Sequence, residues 1–232
     1  QSQPNAISVQ EVVENALSKI LGMELSIVGA GRTDAGVHAK QMFAHFDFER
    51  DFSLNDLKYK LNAFLPKDIV VFNITNVKSD AHARFDALSR TYLYRISNCK
   101  NAFNFDRSYL MKKPLNVPKM NEATNVLLGH KDFQCFSKSN TDVKTYYCNI
   151  MLAQWKEVGE ELHFTIKADR FLRNMVRAIV GTLINIGLDK ISIKDLENII
   201  ESKNRSEAGY SVPAHGLFLT QIEYPLSIQN DK

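Results

Sequence analysis

One ten-residue loop brings together a carboxylate, a guanidinium, a hydroxyl and an imidazole. Its sequence is Gly29-Ala30-Gly31-Arg32-Thr33-Asp34-Ala35-Gly36-Val37-His38. Three glycines within eight residues let the backbone turn tightly, and loops held by rigid elements are where catalytic groups concentrate. This loop is therefore the stretch of the sequence where chemistry is most readily placed.

Two familiar kinds of phosphate-binding loop are excluded by the spacing. The loop lacks the Gly-Lys-Ser/Thr ending of a P-loop, and its glycines do not have the spacing of a dinucleotide-binding turn. A metal site needs several convergent ligands, and only Asp34 and His38 lie near each other. One plain alternative stays open from these residues alone, a hairpin turn in which Asp34 only accepts bonds from backbone amides.

The elements that must position this loop follow from the apolar spacing. Residues 8–21 have a period near 3.6, and Ser8 with Glu11 forms a capping box, which predicts a helix. Further helices are predicted over 54–65, 119–128, 171–186 and 193–201, and strands over 25–28, 40–48, 69–77, 88–97, 146–156, 161–168 and 216–223. Strands outnumber the crossover helices that an all-parallel sheet needs, which favours an α+β fold.

Composition narrows the class of protein without deciding it. The 232 residues are 44% hydrophobic and 24% charged, as in an ordinary globular protein, and the net charge of +3 suits a polyanionic partner. Three widely spaced cysteines indicate free thiols in a reducing cytosol rather than a disulfide framework or a zinc knuckle. No apolar run approaches the ~18 residues of a membrane span.

Residues 31–38 resemble the catalytic signature of the TruA family of tRNA pseudouridine synthases. Further blocks match that family at the right intervals and together span nearly the whole chain. They are Ser8-Val9-Gln10-Glu11, His82-Ala83-Arg84-Phe85 with Arg90-Thr91-Tyr92-Leu93-Tyr94, Phe171-Leu172 through Met175-Val176-Arg177, and Ala214-His215-Gly216-Leu217-Phe218-Leu219.

The resemblance implies a particular architecture. Two related α/β-sandwich halves, ferredoxin-like or RNP-like, share a mixed and mostly antiparallel central sheet. We expect the N-terminal half over 1–105, carrying the Asp34 loop, and the C-terminal half over 106–232. The family begins with a strand and a Gly-Trp-Gln turn, whereas this chain opens with Gln1-Ser2-Gln3, so the first strand is expected to be missing. A cytoplasmic homodimer is also implied, with each tRNA touching both subunits.

The implied reaction converts uridine to pseudouridine in the anticodon stem-loop of tRNA, at positions 38, 39 and 40. It breaks the N1–C1′ bond, turns the free base and rejoins it through C5. No electrons are transferred and no water is consumed, so neither a cofactor nor a metal is required. The reaction does require an ionised carboxylate beside the nucleoside, a water-poor pocket, and removal of the base from its stack.

The resemblance also assigns roles to individual residues. Asp34 is the catalytic carboxylate, acting either on C1′ or on a sugar proton. Tyr92, Arg32 and Arg177 are implied as substrate-binding residues: Tyr92 stacks on the target base, Arg32 contacts the flipped-out nucleotide, and Arg177 is the cation that keeps Asp34 charged. Leu217 is implied as an apolar wall.

Each role has a plain structural alternative. Arg177 could be a surface arginine, although the apolar residues on both sides of it favour partial burial. Arg32 could be a solvent-facing charge, and Tyr92 could pack in the core beside Tyr94, which shares its strand face. RNA contacts would be spread over basic side chains that singly look like solvated charges, namely Arg84, Arg90, Arg95, Arg107, Lys112, Lys113, Lys138 and Lys144.

Two rival functions come from other classes. An RNA-binding module of the same fold could be catalytically inactive, but it would have no need of the Asp34 carboxylate. Another RNA-modifying enzyme, such as a methyltransferase, would require added S-adenosylmethionine, so activity in buffer and tRNA alone separates the two.

Overall fold

The computed structural model describes residues 6–138 and 143–228. Contacts within the chain divide it into two compact units. The first unit comprises Gln1–Arg32, Met42–Ala87 and Tyr224–Lys232, and the second comprises Thr33–Gln41 and Leu88–Glu223. The boundary between units therefore falls inside the glycine-rich loop.

The two compact units are defined by contacts within the chain, whereas the predicted halves are two consecutive segments that resemble each other in fold. The halves expected over 1–105 and 106–232 stay a prediction. The opening residues Gln1-Ser2-Gln3, on which the expectation of a missing first strand depends, lie outside the described residues.

The helices and strands are numbered in chain order. The helices are α1 (Val9–Leu21), α2 (Leu54–Phe64), α3 (Val117–Gly129), α4 (Met175–Gly187) and α5 (Ile193–Ser202) within the described residues. The strands in the same residues are β1 (Val28–Gly29), β2 (His38–Ala39), β3 (Ala44–His45), β4 (Ser89–Ser97), β5 (Tyr109–Leu110), β6 (Ile150–Val158), β7 (Glu161–Ala168) and β8 (Leu217–Glu223).

The first unit is built on the packing of α1 against α2. The Ser8 hydroxyl accepts a hydrogen bond from the Glu11 amide at 3.1 Å, which caps the start of α1 as predicted. A small core of apolar side chains lies between the helices and the neighbouring chain, formed by Ala16, Leu17, Leu25, Ile27, Leu57, Leu61 and Leu65. Strands β1 and β3 pair antiparallel in this unit.

Three strand predictions in this part of the chain were wrong. The strand predicted over 25–28 is reduced to β1, which begins only at Val28. The strand predicted over 40–48 is reduced to β3, and the one predicted over 69–77 is absent from those residues, all of which are described, apart from a bridge position at Val77. The side-chain amide of Asn62 takes both backbone groups of Val71, donating to its carbonyl and accepting from its amide. Groups satisfied in this way have no need of a partner strand.

The second unit contains the main sheet. Its strands lie in the order β2-β8-β4-β7-β6, with β5 beside β4. The β2–β8 and β4–β5 pairs are parallel, and the β4–β8, β4–β7 and β6–β7 pairs are antiparallel. The sheet is thus mixed and mostly antiparallel, which confirms the α+β class.

Helix α4 is the central helix of the second unit, and it starts later than predicted. The apolar pattern indicated a start at residue 171, but Asn174 has a φ of 67° and α4 begins at Met175. Asn is among the few residues that tolerate this left-handed conformation. Most α4 side chains are buried, in the same apolar core as Tyr94, Phe164 and Ile166 of the sheet.

Strand β8 carries a bulge beside β4. The register passes from Thr91 opposite Gln221 to Tyr92 opposite Leu219, which leaves Thr220 as the extra residue. The Thr220 hydroxyl donates to the Thr91 carbonyl at 3.0 Å, so the side chain of the extra residue supplies a hydrogen bond at the bulge. Bulges redirect neighbouring side chains, and this one lies next to Tyr92.

The described helices include none with the length and apolarity that crossing a membrane demands. The three cysteines form no disulfide, as predicted. Burial raises the pKa of the Cys135 and Cys148 thiols to about 12, so both are protonated at neutral pH.

A backbone segment after α5 packs directly against α4. A Cβ added at Gly181 would overlap the carbonyl oxygen of Tyr210, and one added at Gly209 would lie 2.6 Å from the Thr182 amide nitrogen. The Gly209 amide also donates to the buried Thr182 hydroxyl at 2.8 Å. Only glycine allows the two backbones to approach this closely.

We predict that Gly181→Ala lowers the free energy of unfolding by about 3 kcal/mol or more, because overpacking forces the backbones apart. The matched control is Gly129→Ala at the end of α3, where an added Cβ meets nothing within 4 Å. That control should change stability by less than about 1 kcal/mol. Urea denaturation followed by circular dichroism measures both, and equal midpoints for the two variants would contradict the packing argument.

Candidate active site

The backbone around Asp34 makes a tight turn that leads into the main sheet. The Val37 amide donates to the Asp34 carbonyl at 3.1 Å, and Gly36 has a φ of 80°. A positive φ at the third residue of such a turn is typical of a type II turn and suits glycine. His38 then enters β2, which fixes the turn to the edge of β8 through the pairing of His38 with Phe218.

The carboxylate of Asp34 is held by Arg177 on the first turns of α4. Arg177 Nη1 donates to Asp34 Oδ2 at 2.9 Å. The side chains of Asp34 and Arg177 are 27% and 20% exposed, so the pair is largely shielded yet reachable. Charge-assisted bonds of this kind are stronger than those between neutral groups, so the guanidinium orients the carboxylate.

A second bond fixes the direction in which Arg177 points. Its Nε donates to the Val212 carbonyl at 2.7 Å, while the Val212 amide donates to the Arg177 carbonyl at 3.3 Å. The next carbonyl along the chain, that of Pro213, accepts a bond from the Tyr94 hydroxyl at 2.9 Å. Tyr94 is fully buried in the core. The guanidinium is therefore anchored through 212–213 to the sheet.

Tyr92 lies two residues before Tyr94 on the same face of β4. Its ring meets Phe171 edge-on, with centroids 5.2 Å apart at 87°. Burial raises the pKa of the Tyr92 phenol to about 12; the Arg90 guanidinium lowers it somewhat and the Asp34 charge raises it. Tyr92 is thus a neutral aromatic side chain near the Asp34 carboxylate.

Two further cations near this site were not singled out from the sequence. Arg173 Nε lies 4.0 Å from Asp34 Oδ1, and its side chain is 61% exposed. Arg90 was named only as a diffuse RNA contact, but its Nη1 donates to the Asp169 carbonyl at 2.8 Å. The signal for Arg173 was its place four residues before Arg177, which puts both arginines on one face of the predicted helix.

The other residues implied by the resemblance lie in different surroundings. Leu217 is buried and pairs with Tyr94 across the β4–β8 ladder, in the core of the second unit. Arg32 and Arg84 are both exposed side chains of the first unit. The Arg84 guanidinium lies over the Phe85 ring, 5.5 Å from its centroid.

Arg95, one of the basic residues suggested for RNA contact, makes its contacts within the second unit. Arg95 Nε and Nη2 each donate to a different carboxylate oxygen of Glu161, at 2.8 and 2.9 Å. The Arg95 guanidinium also lies over the Phe218 ring, 5.6 Å from the centroid. We infer that Arg95 stabilises this face of the sheet.

Comparison with known proteins decides the family. A family model described as tRNA pseudouridine synthase matches residues 1–86 and 123–225, which is most of the chain. The chain belongs to this family. It is 51% identical to tRNA pseudouridine synthase A of Bacteroides fragilis, over 98% of this chain and 91% of that protein.

Two further relatives give the same result. The chain is 39% identical to tRNA pseudouridine synthase A of Clostridium acetobutylicum, over 97% of this chain and 93% of that protein. It is 52% identical to the protein of that name from Azobacteroides pseudotrichonymphae, over 97% of this chain and 90% of the other. The family membership thus covers both compact units.

Chemically, the site presents a carboxylate anion beside a cation and a neutral phenol. A carboxylate held in this way by a guanidinium has a fixed orientation, and it can act as a nucleophile or as a base. The partial exposure of Asp34 leaves part of it accessible to a substrate.

We predict that Asp34 and Arg177 are energetically coupled. A double-mutant cycle of Asp34→Asn and Arg177→Met, measured by urea unfolding, should give a coupling energy of about 1–3 kcal/mol, since removing either partner leaves the other largely shielded and unpaired. The control is the exposed helical pair Asp56–Lys60, 55% exposed on both sides. Its coupling should be about 0.3–0.5 kcal/mol. Equal coupling in the two pairs would show that the Asp34 contact is only superficial.

Proposed function

We propose that this chain isomerises uridine to pseudouridine in tRNA, with Asp34 as the catalytic carboxylate. The observation that carries the proposal is the Asp34–Arg177 ion pair beside the neutral Tyr92 phenol. Family membership supplies the substrate class, and the pair supplies the charged group that the chemistry needs.

The atoms of the reaction balance without any reactant other than the substrate RNA. The N1–C1′ bond of the target uridine breaks, the free base turns, and C5 forms the new bond to C1′. The hydrogen on C5 leaves as a proton. Asp34 assists the first step, either by attack on C1′ or by removing a sugar proton, and Arg177 keeps it ionised and oriented.

The target base must leave its stack to reach Asp34. We assign Tyr92 to stack on it, a contact that tolerates both uracil orientations because every base presents a π-face. Arg32 contacts the backbone of the flipped nucleotide, Arg84 is a further RNA contact, and Leu217 supplies an apolar wall. These roles follow the family resemblance.

The position of the target is part of the same proposal. We assign the modified uridines to positions 38, 39 and 40 of the anticodon stem-loop, and we propose a cytoplasmic homodimer. Carbodiimide labelling followed by primer extension maps the modified positions, and sedimentation equilibrium gives the oligomeric state. Products elsewhere in the tRNA would contradict the assigned positions while leaving the chemistry intact.

We predict that Asp34→Asn abolishes tritium release from tRNA labelled with [5-³H]uridine, because the amide cannot replace the ionised carboxylate. Wild-type protein should release tritium in buffer and tRNA alone, and tRNA binding by the variant should stay within about threefold, a small change in free energy. The control Asp51→Asn changes an exposed aspartate of the first unit and should release tritium normally.

The same assay separates the rival functions. An inactive RNA-binding module would bind tRNA without releasing tritium in the wild type. A methyltransferase would release nothing until S-adenosylmethionine is added. Release by Asp34→Asn at the wild-type rate would refute the assignment of the carboxylate.

We predict that Tyr92→Ala lowers kcat/KM roughly 5–150-fold, the range that corresponds to losing ~1–3 kcal/mol of base stacking. Tyr92→Phe keeps the ring and should stay within about threefold of wild type. Since the pKa of Tyr92 is about 12, the phenol is neutral below pH 10. The Phe variant should therefore keep the wild-type pH profile between about pH 6 and 9. If Tyr92→Phe lowers kcat/KM as much as Tyr92→Ala, the hydroxyl and not the ring makes the functional contact.

A further inference from the structure

A polar cavity of about 550 Å³ lies in the second unit, lined mainly by cations and neutral donors. Its basic members are Lys138, Lys203 and Arg205, and its neutral members are Gln134, Ser137, Tyr146, Asn204 and Ser206. No acidic side chain is among these lining residues, all of which the structure describes. Three positive charges and several hydroxyl and amide donors around one cavity suit an anion with many acceptor oxygens.

Two of the three basic side chains of this cavity, those of Lys203 and Arg205, are held in place. Lys203 Nζ lies 2.8 Å from Asp132 Oδ2. Arg205 Nη1 donates to the Gly209 carbonyl at 3.2 Å, and its Nη2 donates to the Ser211 hydroxyl at 2.9 Å. Arg205 keeps further N–H groups for a ligand, because a guanidinium has five. Side chains fixed beforehand lose less entropy when an anion binds.

This cavity adjoins the end of α4 that carries the Asp34 site. The Lys138 amide donates to the Arg173 carbonyl at 3.0 Å, and Arg173 Nε is 4.0 Å from Asp34 Oδ1. A second connection runs through Ser211, whose hydroxyl accepts bonds both from Arg205 and from the Asn174 amide group before α4. The backbone contact between Lys138 and Arg173 thus connects the surroundings of the carboxylate to the cavity.

We propose that this cavity binds a backbone phosphate of the substrate RNA, close to the uridine at Asp34, with Arg173 between the two. The inference rests on the proposed function for the identity of the polyanion. Phosphate contacts of this kind fix the register of a nucleic acid without reading its sequence. The cavity would therefore set which uridine reaches Asp34.

The test replaces two of the cations and measures the salt dependence of tRNA binding. Each phosphate contact contributes about 0.7–0.9 to the slope of log Kd against log salt concentration. Lys138→Gln with Lys203→Gln should reduce that slope by about 0.7–0.9, as expected for the loss of one phosphate contact, and weaken binding roughly 10-fold at fixed salt. KM should rise with kcat within about twofold, because the contact is made equally in ground and transition states.

Matched variants separate this effect from general loss of charge or folding. Lys60→Gln with Lys194→Gln removes two exposed lysines, one on α2 and one at the opposite end of α5 from Lys203, and should leave the slope unchanged. Lys138→Arg with Lys203→Arg should keep the wild-type slope. The proposal is overturned if Lys138→Gln with Lys203→Gln leaves the salt slope unchanged. It is also overturned if Lys60→Gln with Lys194→Gln lowers the slope by the same amount.

Ethylation interference locates the contact and tests a competing ligand. Phosphates whose ethylation blocks wild-type binding, but not binding by the Lys138→Gln with Lys203→Gln variant, should lie within a few nucleotides of the modified uridine. Remote positions would overturn the assignment. Tight binding of inorganic phosphate to wild type, lost in the Gln pair while the tRNA slope is unchanged, would assign the cavity to a small free anion instead.

These measurements test the phosphate site independently of the catalytic role proposed for Asp34. All of them follow tRNA binding, except for the KM and kcat comparison. If the wild type formed no pseudouridine, the proposed function would fail while the salt slopes still decided whether the cavity holds RNA phosphate.

Discussion

The ion pair between Asp34 and Arg177 depends on a constraint that lies outside the pair. Arg177 divides its donors, giving Nη1 to the carboxylate and Nε to the Val212 carbonyl. Because a guanidinium is planar and rigid, fixing one nitrogen fixes the direction of the others. A lysine could carry the charge, but it could not be aimed in this way. The guanidinium therefore holds the carboxylate in one orientation, and the carboxylate remains partly exposed.

The support for Arg177 is distributed through the core of the second unit. The segment 209–213 lies on α4 because Gly181 and Gly209 leave room for the two backbones. Tyr94, buried in the sheet, holds the Pro213 carbonyl. Close-packed interiors transmit small displacements, so changes at these residues reach the carboxylate without touching it. The site is thus the end point of a packed network built from β4, α4 and the chain before β8.

The start of α4 separates two arginines with different surroundings. Arg177 is largely buried and faces Asp34, whereas Arg173 precedes the left-handed Asn174 and is mostly exposed. In one continuous helix the two would lie on the same face, four residues apart. Both arginines reach Asp34, Arg177 from within α4 and Arg173 from the exposed segment before it. One short segment of chain therefore contributes to the chemistry and to the surface on which an RNA backbone could lie.

The sequence by itself determined the α+β class, most helices and the long strands, because their apolar periods extend over nine or more residues in most cases. It also pointed to Asp34, Arg177 and Tyr92 through a resemblance that covers nearly the whole chain. It could not locate the short strands. Residues 69–77 are rich in the β-branched residues typical of strands, yet the Asn62 side chain bonds both backbone groups of Val71. The Val212 and Pro213 carbonyls, the contact of Arg173 with Asp34 and the basic cavity were decided only by tertiary structure. Backbone carbonyls look alike in every sequence, and whether a charge meets a partner depends on which distant segments pack together.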